Sequence, residues 1–275
     1  MQNRFMTLTR AMVLSALCLT AAHADRVFLP TGDKDSPLEA VAQGLQKSIS
    51  PDKKNPIQIC TPGNGDLKIG SDERLFIIVH GHAALPWFCS VLADISWTAD
   101  EMAELLEKQG LPKNHKDIYL LVCYGGQSVG DKRKVGEILT LRNEAKAAEA
   151  AGDSALCQKT TKAFKDLTKR TRPGKYKNEN QELPLAAQLA QALKDRRYKN
   201  FRIISYNGAI NADAVKEGNV RLFLDPNVVD GKLAEGLRPL PKTKKESDMK
   251  KYTEEDLKAV YGESSDQTIY RSIWR

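Results

Sequence analysis

The chain has 275 residues, 42 lysines and arginines against 35 aspartates and glutamates, and a hydrophobic fraction of 41%. That is enough apolar material for one sizeable core and too much for a disordered chain; five cysteines are too few for a disulfide scaffold, and no CxxC pair points to structural zinc. The formal charge of +7 leaves nucleic acid, anionic lipid and acidic substrates open as partners.

Arg4 and Arg10 precede an apolar run from Ala11 to Ala22, and Ala22-His23-Ala24 has the small-x-small form of a signal-peptidase site. The run is too short to span a bilayer, which takes about 20 residues. The expected reading is a secretory signal, residues 1–24, cut after Ala24, and a secreted or periplasmic mature chain without a membrane span. The mature chain then carries a net +5. In an oxidising compartment some of Cys60, Cys89, Cys123 and Cys157 could pair as disulfides, with Cys60, Cys89 and Cys157 the structural candidates.

Ile57–Cys60 is a candidate early strand. Arg74–Val79 and Ile118–Val122 are continuous apolar runs bounded by glycines, the pattern of central parallel strands covered on both faces. Between them Thr98 and Glu101 form a capping box, Met102, Leu105 and Leu106 a stripe, and Gly110 with Pro112 a stop. One strand-helix-strand crossover therefore joins the two runs. Pro184 opens a second helix with Leu185, Ala186, Leu189, Ala190 and Leu193 on one face, Phe201–Tyr206 follows as a strand, and Val220–Leu224 reads as another. This alternation predicts a three-layer α/β domain over residues 25–238 with a mostly parallel sheet.

Residues 131–180 differ, with 13 basic against 7 acidic side chains. They predict one or two exposed helices and a loop at Arg172-Pro173-Gly174, a basic insertion that could take an anionic ligand. That segment alone exceeds the whole mature excess of base, so the basicity is local and does not argue for nucleic acid. Residues 239–275 read as a charged tail outside the core, with a short helix from Glu254 to Val260.

In an open parallel sheet, active groups gather at the carboxyl ends of strands. His80 ends one buried run and Cys123 ends the next, 43 residues on. An imidazole beside a thiol assists thiolate attack and later protonates a leaving amine. Gly81 permits close backbone approach, so the N–H groups of Gly81 and Cys123 are candidate oxyanion donors. No metal or cofactor is needed for such chemistry. His82 is expected to flank the site and His115 to lie on an exposed loop, and Trp87 and Trp97 are expected to serve packing.

Apolar block, His80-Gly81, about forty residues, apolar block, then Cys123-Tyr124-Gly125-Gly126 resembles the caspase-like clan (clan CD) of cysteine peptidases. Caspases have Ala-Cys-x-Gly where this chain has Val122-Cys123-Tyr124-Gly125. The pattern is closer to the self-processing protease domain of large bacterial RTX-type toxins, over residues 74–125 and 183–225; the insertion has no counterpart there. The resemblance implies a caspase-like sandwich and a Cys-His endopeptidase acting through a thioester on peptide or protein substrates. Two other classes stand beside it. One is an inactive caspase-like adaptor that binds a partner. The other is an α/β-hydrolase using Gly126-Gln-Ser128-Val-Gly130, against which stands the lack of any histidine after His115.

Overall fold

The structure is a computed structural model and describes residues 25–32, 37–50, 57–63, 67–82, 85–90, 95–168, 179–216, 218, 221–223, 251–253 and 271–275. The signal sequence, the Arg172-Pro173-Gly174 loop and the expected helix 254–260 lie outside these residues.

Strands β1 (Arg26–Phe28), β2 (Gln58–Cys60) and β3 (Arg74–Ile78) alternate with helix α1 (Pro37–Ile49). Short strands β4 (Phe88–Cys89) and β5 (Ser96–Trp97) precede α2 (Ala99–Lys108), which leads to β6 (Asp117–Leu121). The insertion forms α3 (Lys132–Ala150) and α4 (Ser154–Thr168); α5 (Leu185–Asp195) and β7 (Arg202–Tyr206) follow. Then come β8 (Ala209–Ile210), α6 (Ala212–Lys216), β9 (Arg221–Phe223), β10 (Lys251–Thr253) and β11 (Arg271–Trp274).

The central sheet has six strands in the order β11-β7-β6-β3-β1-β2. The pairs β2–β1, β1–β3, β3–β6 and β6–β7 are parallel, and only β11 runs antiparallel, against β7. The five parallel strands have the doubly wound 2-1-3-4-5 order, whose direction reverses between β1 and β3.

Strand alternation sends successive side chains to opposite faces, and each face meets helices. On one side Leu75, Ile77, Ile118, Leu120 and Ile203 pack with Met102 and Leu106 of α2 and Leu185, Leu189 and Leu193 of α5. On the other, Val27, Phe76, Ile78, Leu121 and Ile204 pack with Leu38, Val41, Ala42 and Leu45 of α1. The result is the expected mixed α/β architecture in three layers with a mostly parallel sheet.

The capping box of α2 is present in both directions: the Thr98 backbone N–H donates to Glu101 Oε2 at 2.6 Å, and Glu101 N–H donates to Thr98 Oγ1 at 3.2 Å. The insertion forms its two helices, with Asp131 accepting from the N–H groups of Arg133 and Lys134 at the first. It is not wholly exposed. Val135, Ile138, Arg142 and Ala148 are buried, and Arg142 donates to the Ser96 carbonyl and pairs with Glu101, which fastens α3 to the start of α2. Trp87 packs as expected, stacked on Phe164 and lying under the Arg142 guanidinium.

The sequence expectations need correction in several places. β11 belongs to the sheet, so the final residues are not a tail outside the core. Ser272 is buried, its Oγ donates to Asn207 Oδ1 at 3.0 Å, and Trp274 packs on the core. The cause is tertiary: the free edge of β7 accepts the strand. The Val220–Leu224 strand forms as β9, in a separate antiparallel sheet with β8 and β10. His115 is fully buried instead of exposed, because its ring nitrogens reach the Gly70 and Asp117 carbonyls, each at 3.1 Å. No disulfide joins Cys60, Cys89, Cys123 and Cys157, the described cysteines. No helix among the described residues is long and apolar enough to cross a membrane.

Candidate active site

His80 and Cys123 sit two residues beyond the last paired positions of β3 and β6, where Ile78 faces Leu121. Carrying that register forward sets His80 opposite Cys123 on strands about 4.8 Å apart. The two-residue alternation also gives both the side of the sheet taken by Ile78 and Leu121. His80 thus lies beside the switch point between β1 and β3, with Cys123 on the next strand.

The backbone locks this arrangement. A Cβ on Gly81 would come within 2.4 Å of the Cys123 carbonyl oxygen and 2.6 Å of Val122 Cγ2. Only glycine permits that approach, so the chain after His80 rests directly on the chain at Cys123. On its other hydrogen-bonding edge His80 is clamped by Cys89: His80 N–H donates to Cys89 O at 3.2 Å, and Cys89 N–H donates to His80 O at 3.0 Å. After Cys123 the chain turns sharply. Tyr124 takes a left-handed φ of +61°, and its N–H donates to Gly208 O at 2.7 Å. The left-handed conformation costs a non-glycine residue about 1–2 kcal/mol, repaid here by tertiary hydrogen bonds. Gly126 follows where a Cβ would strike Asn207 Oδ1 at 2.1 Å.

Nε2 of His80 is buried and has no hydrogen-bond partner among the described residues. Buried polar atoms are nearly always paired, so an orphaned imidazole nitrogen at a strand end needs an explanation, and a proton-transfer role supplies one. The Cys123 sulfur accepts the Ile210 N–H at 3.4 Å, an interaction from β8 that no sequence signal announces. Cys89 is buried beside them, and its thiol, desolvated and close to the Cys123 sulfur, is pushed up to about 11. Cys60 is likewise raised by burial. His82, two residues beyond His80, is exposed.

Ser128 does not resemble an exposed nucleophile. It is fully buried, its Oγ accepts Gly130 N–H at 3.2 Å, and three residues intervene before α3 begins.

Two measurements probe this geometry. Iodoacetamide at pH 7.5 should label Cys123 of the folded protein first, with half-buried Cys157 as the internal reference. Cys89 should react more slowly than Cys123 by roughly a hundredfold or more, because a thiol near 11 is almost wholly protonated there. Peptide mapping at early times checks this, and equal labelling of Cys89 would contradict it.

The second concerns pH. Burial lowers His80 and His115 below the ordinary value of 6.5; for His115 this outweighs the opposite pull of its two carbonyl partners. The unfolded chain therefore binds more protons than the folded one below about 6.5, and stability present above that value declines as pH falls through the folded-state values. Urea midpoints should be lower at pH 5.5 than at 7.5. A flat profile across that window would contradict the buried neutral imidazoles.

Neither the models of known protein families nor the curated proteins contain a match to this chain.

Proposed function

We propose that the protein is an exported cysteine endopeptidase of the caspase-like type, with Cys123 as nucleophile and His80 as acid and base. The observation that carries this is the juxtaposition of an imidazole whose buried Nε2 is unpartnered and a thiol on adjacent parallel strand ends, held by the contact at Gly81. The three-layer sheet and the site beside its switch point agree with it.

In this mechanism a peptide carbonyl lies over the Cys123 sulfur. The thiol proton passes to the His80 imidazole as sulfur attacks carbon, and the resulting oxyanion is held by the Gly81 and Cys123 backbone N–H groups. Imidazolium then protonates the leaving amine as the C–N bond breaks, giving a thioester on Cys123. His80 next takes a proton from water, whose oxygen attacks the thioester and releases the acid. The depressed basicity of His80 keeps the ring neutral near pH 7, ready to accept the first proton.

Incubating the purified chain with an unbiased peptide library and identifying the products by mass spectrometry tests the reading. It predicts cleavage at a restricted set of P1 residues, and self-cleavage where the chain carries one. The absence of any product from folded protein would favour an inactive binding protein, and identical products from Cys123→Ala would remove Cys123 from the reaction.

A further inference from the structure

The helical insertion encloses a second concavity, whose chemistry differs from that of the dyad. Helices α3 and α4 pack on each other and on the β4–β5 pair, where Trp87 stacks on Phe164 with 5.6 Å between ring centres and Ile138 is fully buried. Beside these rings lies a cavity of about 250 Å³. Leu85, Trp87, Leu141 and Phe164 make its walls apolar. It is smaller than the roughly 300–1,000 Å³ of pockets that take drug-sized molecules, so it suits a ligand with a single ring or branched apolar group.

The charged groups of the lining stand along one stretch of α3. Arg142 is already committed. Its guanidinium donates to Ser96 Oγ at 3.0 Å, to the Ser96 carbonyl at 2.9 Å and to Glu101 Oε2 at 2.9 Å, so its charge is balanced and its donors are in use. Lys146, one turn further on, has a long hydrogen bond of 3.5 Å to the same carbonyl and no ion pair among the described residues. Glu149 likewise forms no ion pair among them. Spaced i, i+3, these two side chains share one face of α3, and both are exposed at the rim. Burial and the Arg142 cation hold the Lys146 ammonium below its ordinary value of 10.5, while Glu101 and Glu149 pull it the other way. One cation and one carboxylate without ion partners therefore flank the mouth of an apolar cavity.

That set complements a zwitterion. A simple acid would bring its charge against Glu149, and a simple amine would meet Lys146 and Arg142. An α-amino acid offers its carboxylate to Lys146, its ammonium to Glu149 and its side chain to the apolar wall. A peptide terminus carries only one of the two charges beside its last side chain and fits less well. We propose that this cavity binds a free α-amino acid with a large apolar side chain, of the size of phenylalanine or leucine.

The site is separate from the dyad, and its test does not depend on peptidase activity. L-Phenylalanine is titrated calorimetrically into the full chain, and 3-phenylpropionate, phenethylamine and glycine are titrated in parallel. Phenylalanine should bind with one site per chain and a Kd below about 1 mM. The propionate and the amine, each lacking one charge, should bind at least about threefold more weakly, as expected for a partly exposed ion pair. Glycine, lacking the ring, should be at least about tenfold weaker. Lys146→Gln should weaken phenylalanine, and Glu149→Gln should make phenylalanine and 3-phenylpropionate bind alike. Ala145→Phe, which fills the cavity from α3, should weaken phenylalanine at least about tenfold, whereas Lys134→Gln at the start of α3 should change it less than about twofold. Half-buried Cys157 also lines the cavity, so saturating phenylalanine should slow its alkylation by iodoacetamide at least about threefold. Thermal melts separate loss of the site from loss of the fold. Absence of saturable phenylalanine binding, equal binding of 3-phenylpropionate to the unmodified chain, or unchanged affinity in folded Lys146→Gln and Ala145→Phe would overturn the proposal.

Discussion

Replacing Cys123 by alanine should abolish the proposed peptide hydrolysis, with kcat/KM falling on the order of 10⁴-fold or more, because Cys123 is the thiol that the β3–β6 register sets opposite His80. Cys89 is buried with its thiol pushed up to about 11, and Cys60 is also raised by burial. His80→Ala should cost about 10²–10⁴-fold, the range for removing a general acid and base. The two losses should not add when combined, since in the proposed mechanism thiol and imidazole act as one unit. In the unaltered protein the acid limb of the pH–rate profile should have its midpoint below 6.5, because burial holds the His80 imidazole below that ordinary value. Steady-state kinetics on any substrate drawn from the peptide library, with circular dichroism to establish folding, measure all of this. A Cys123→Ala protein that keeps more than a few per cent of activity would exclude the thiol mechanism.

The second large effect is expected at Gly81, although its side chain is only a hydrogen. An alanine Cβ there would lie 2.4 Å from the Cys123 carbonyl oxygen. That oxygen belongs to the backbone at the end of a buried central strand, so it cannot swing aside as a flexible side chain would. The strain should cost about 1–3 kcal/mol of stability. It should also part the ends of β3 and β6, and a displacement of about 1 Å between reacting groups costs on the order of 10²-fold in rate. Gly136→Ala is the matching control. A Cβ at Gly136, within α3, meets nothing within 4 Å. That substitution should leave activity unchanged and raise stability by up to about 1 kcal/mol through helix propensity. Urea denaturation and kcat measured on both variants check the pair. Equal behaviour of the two would show that contact between the strand ends has no bearing on the site.

Much of the framework around the dyad was legible because its signals are local. The apolar runs at Leu75–Val79 and Ile118–Val122 carry their burial in their own composition, and the Thr98–Glu101 capping box marks a helix start in four residues. The expected crossover makes β3 and β6 parallel neighbours, which brings His80 and Cys123 to one edge. Farther out, α1 carries the stripe Leu38, Val41, Ala42 and Leu45, as regular as that of α2, and Ser36-Pro37-Leu38-Glu39 has the S-x-x-E form of a helix start, but the strands there carry less. β1 has three residues and becomes a central strand only because β2 and β3 pair with it on either side.

Tertiary causes explain the remaining surprises. Arg271–Trp274 is too short and mixed in composition to announce a strand, and it forms by adding to the open edge of β7. His115 lies in a polar stretch, Pro112-Lys-Asn-His115-Lys, and only the carbonyls of Gly70 and Asp117 draw its ring inside. At the site itself, the Ile210 N–H on the Cys123 sulfur comes from 87 residues away, beyond the reach of any spacing argument. The Cys89 clamp on His80 was legible only as nearness in sequence.

The most direct test of the Cys-His mechanism is to trap its covalent intermediate. A peptide substrate identified from the library is mixed with the purified protein, quenched in acid within milliseconds, and the protein analysed by intact and peptide-level mass spectrometry. The mechanism predicts an acyl adduct on the peptide containing Cys123, released by hydroxylamine as a thioester and missing from Cys123→Ala. An adduct on another residue, or rapid turnover by a Cys123→Ala protein, would contradict it.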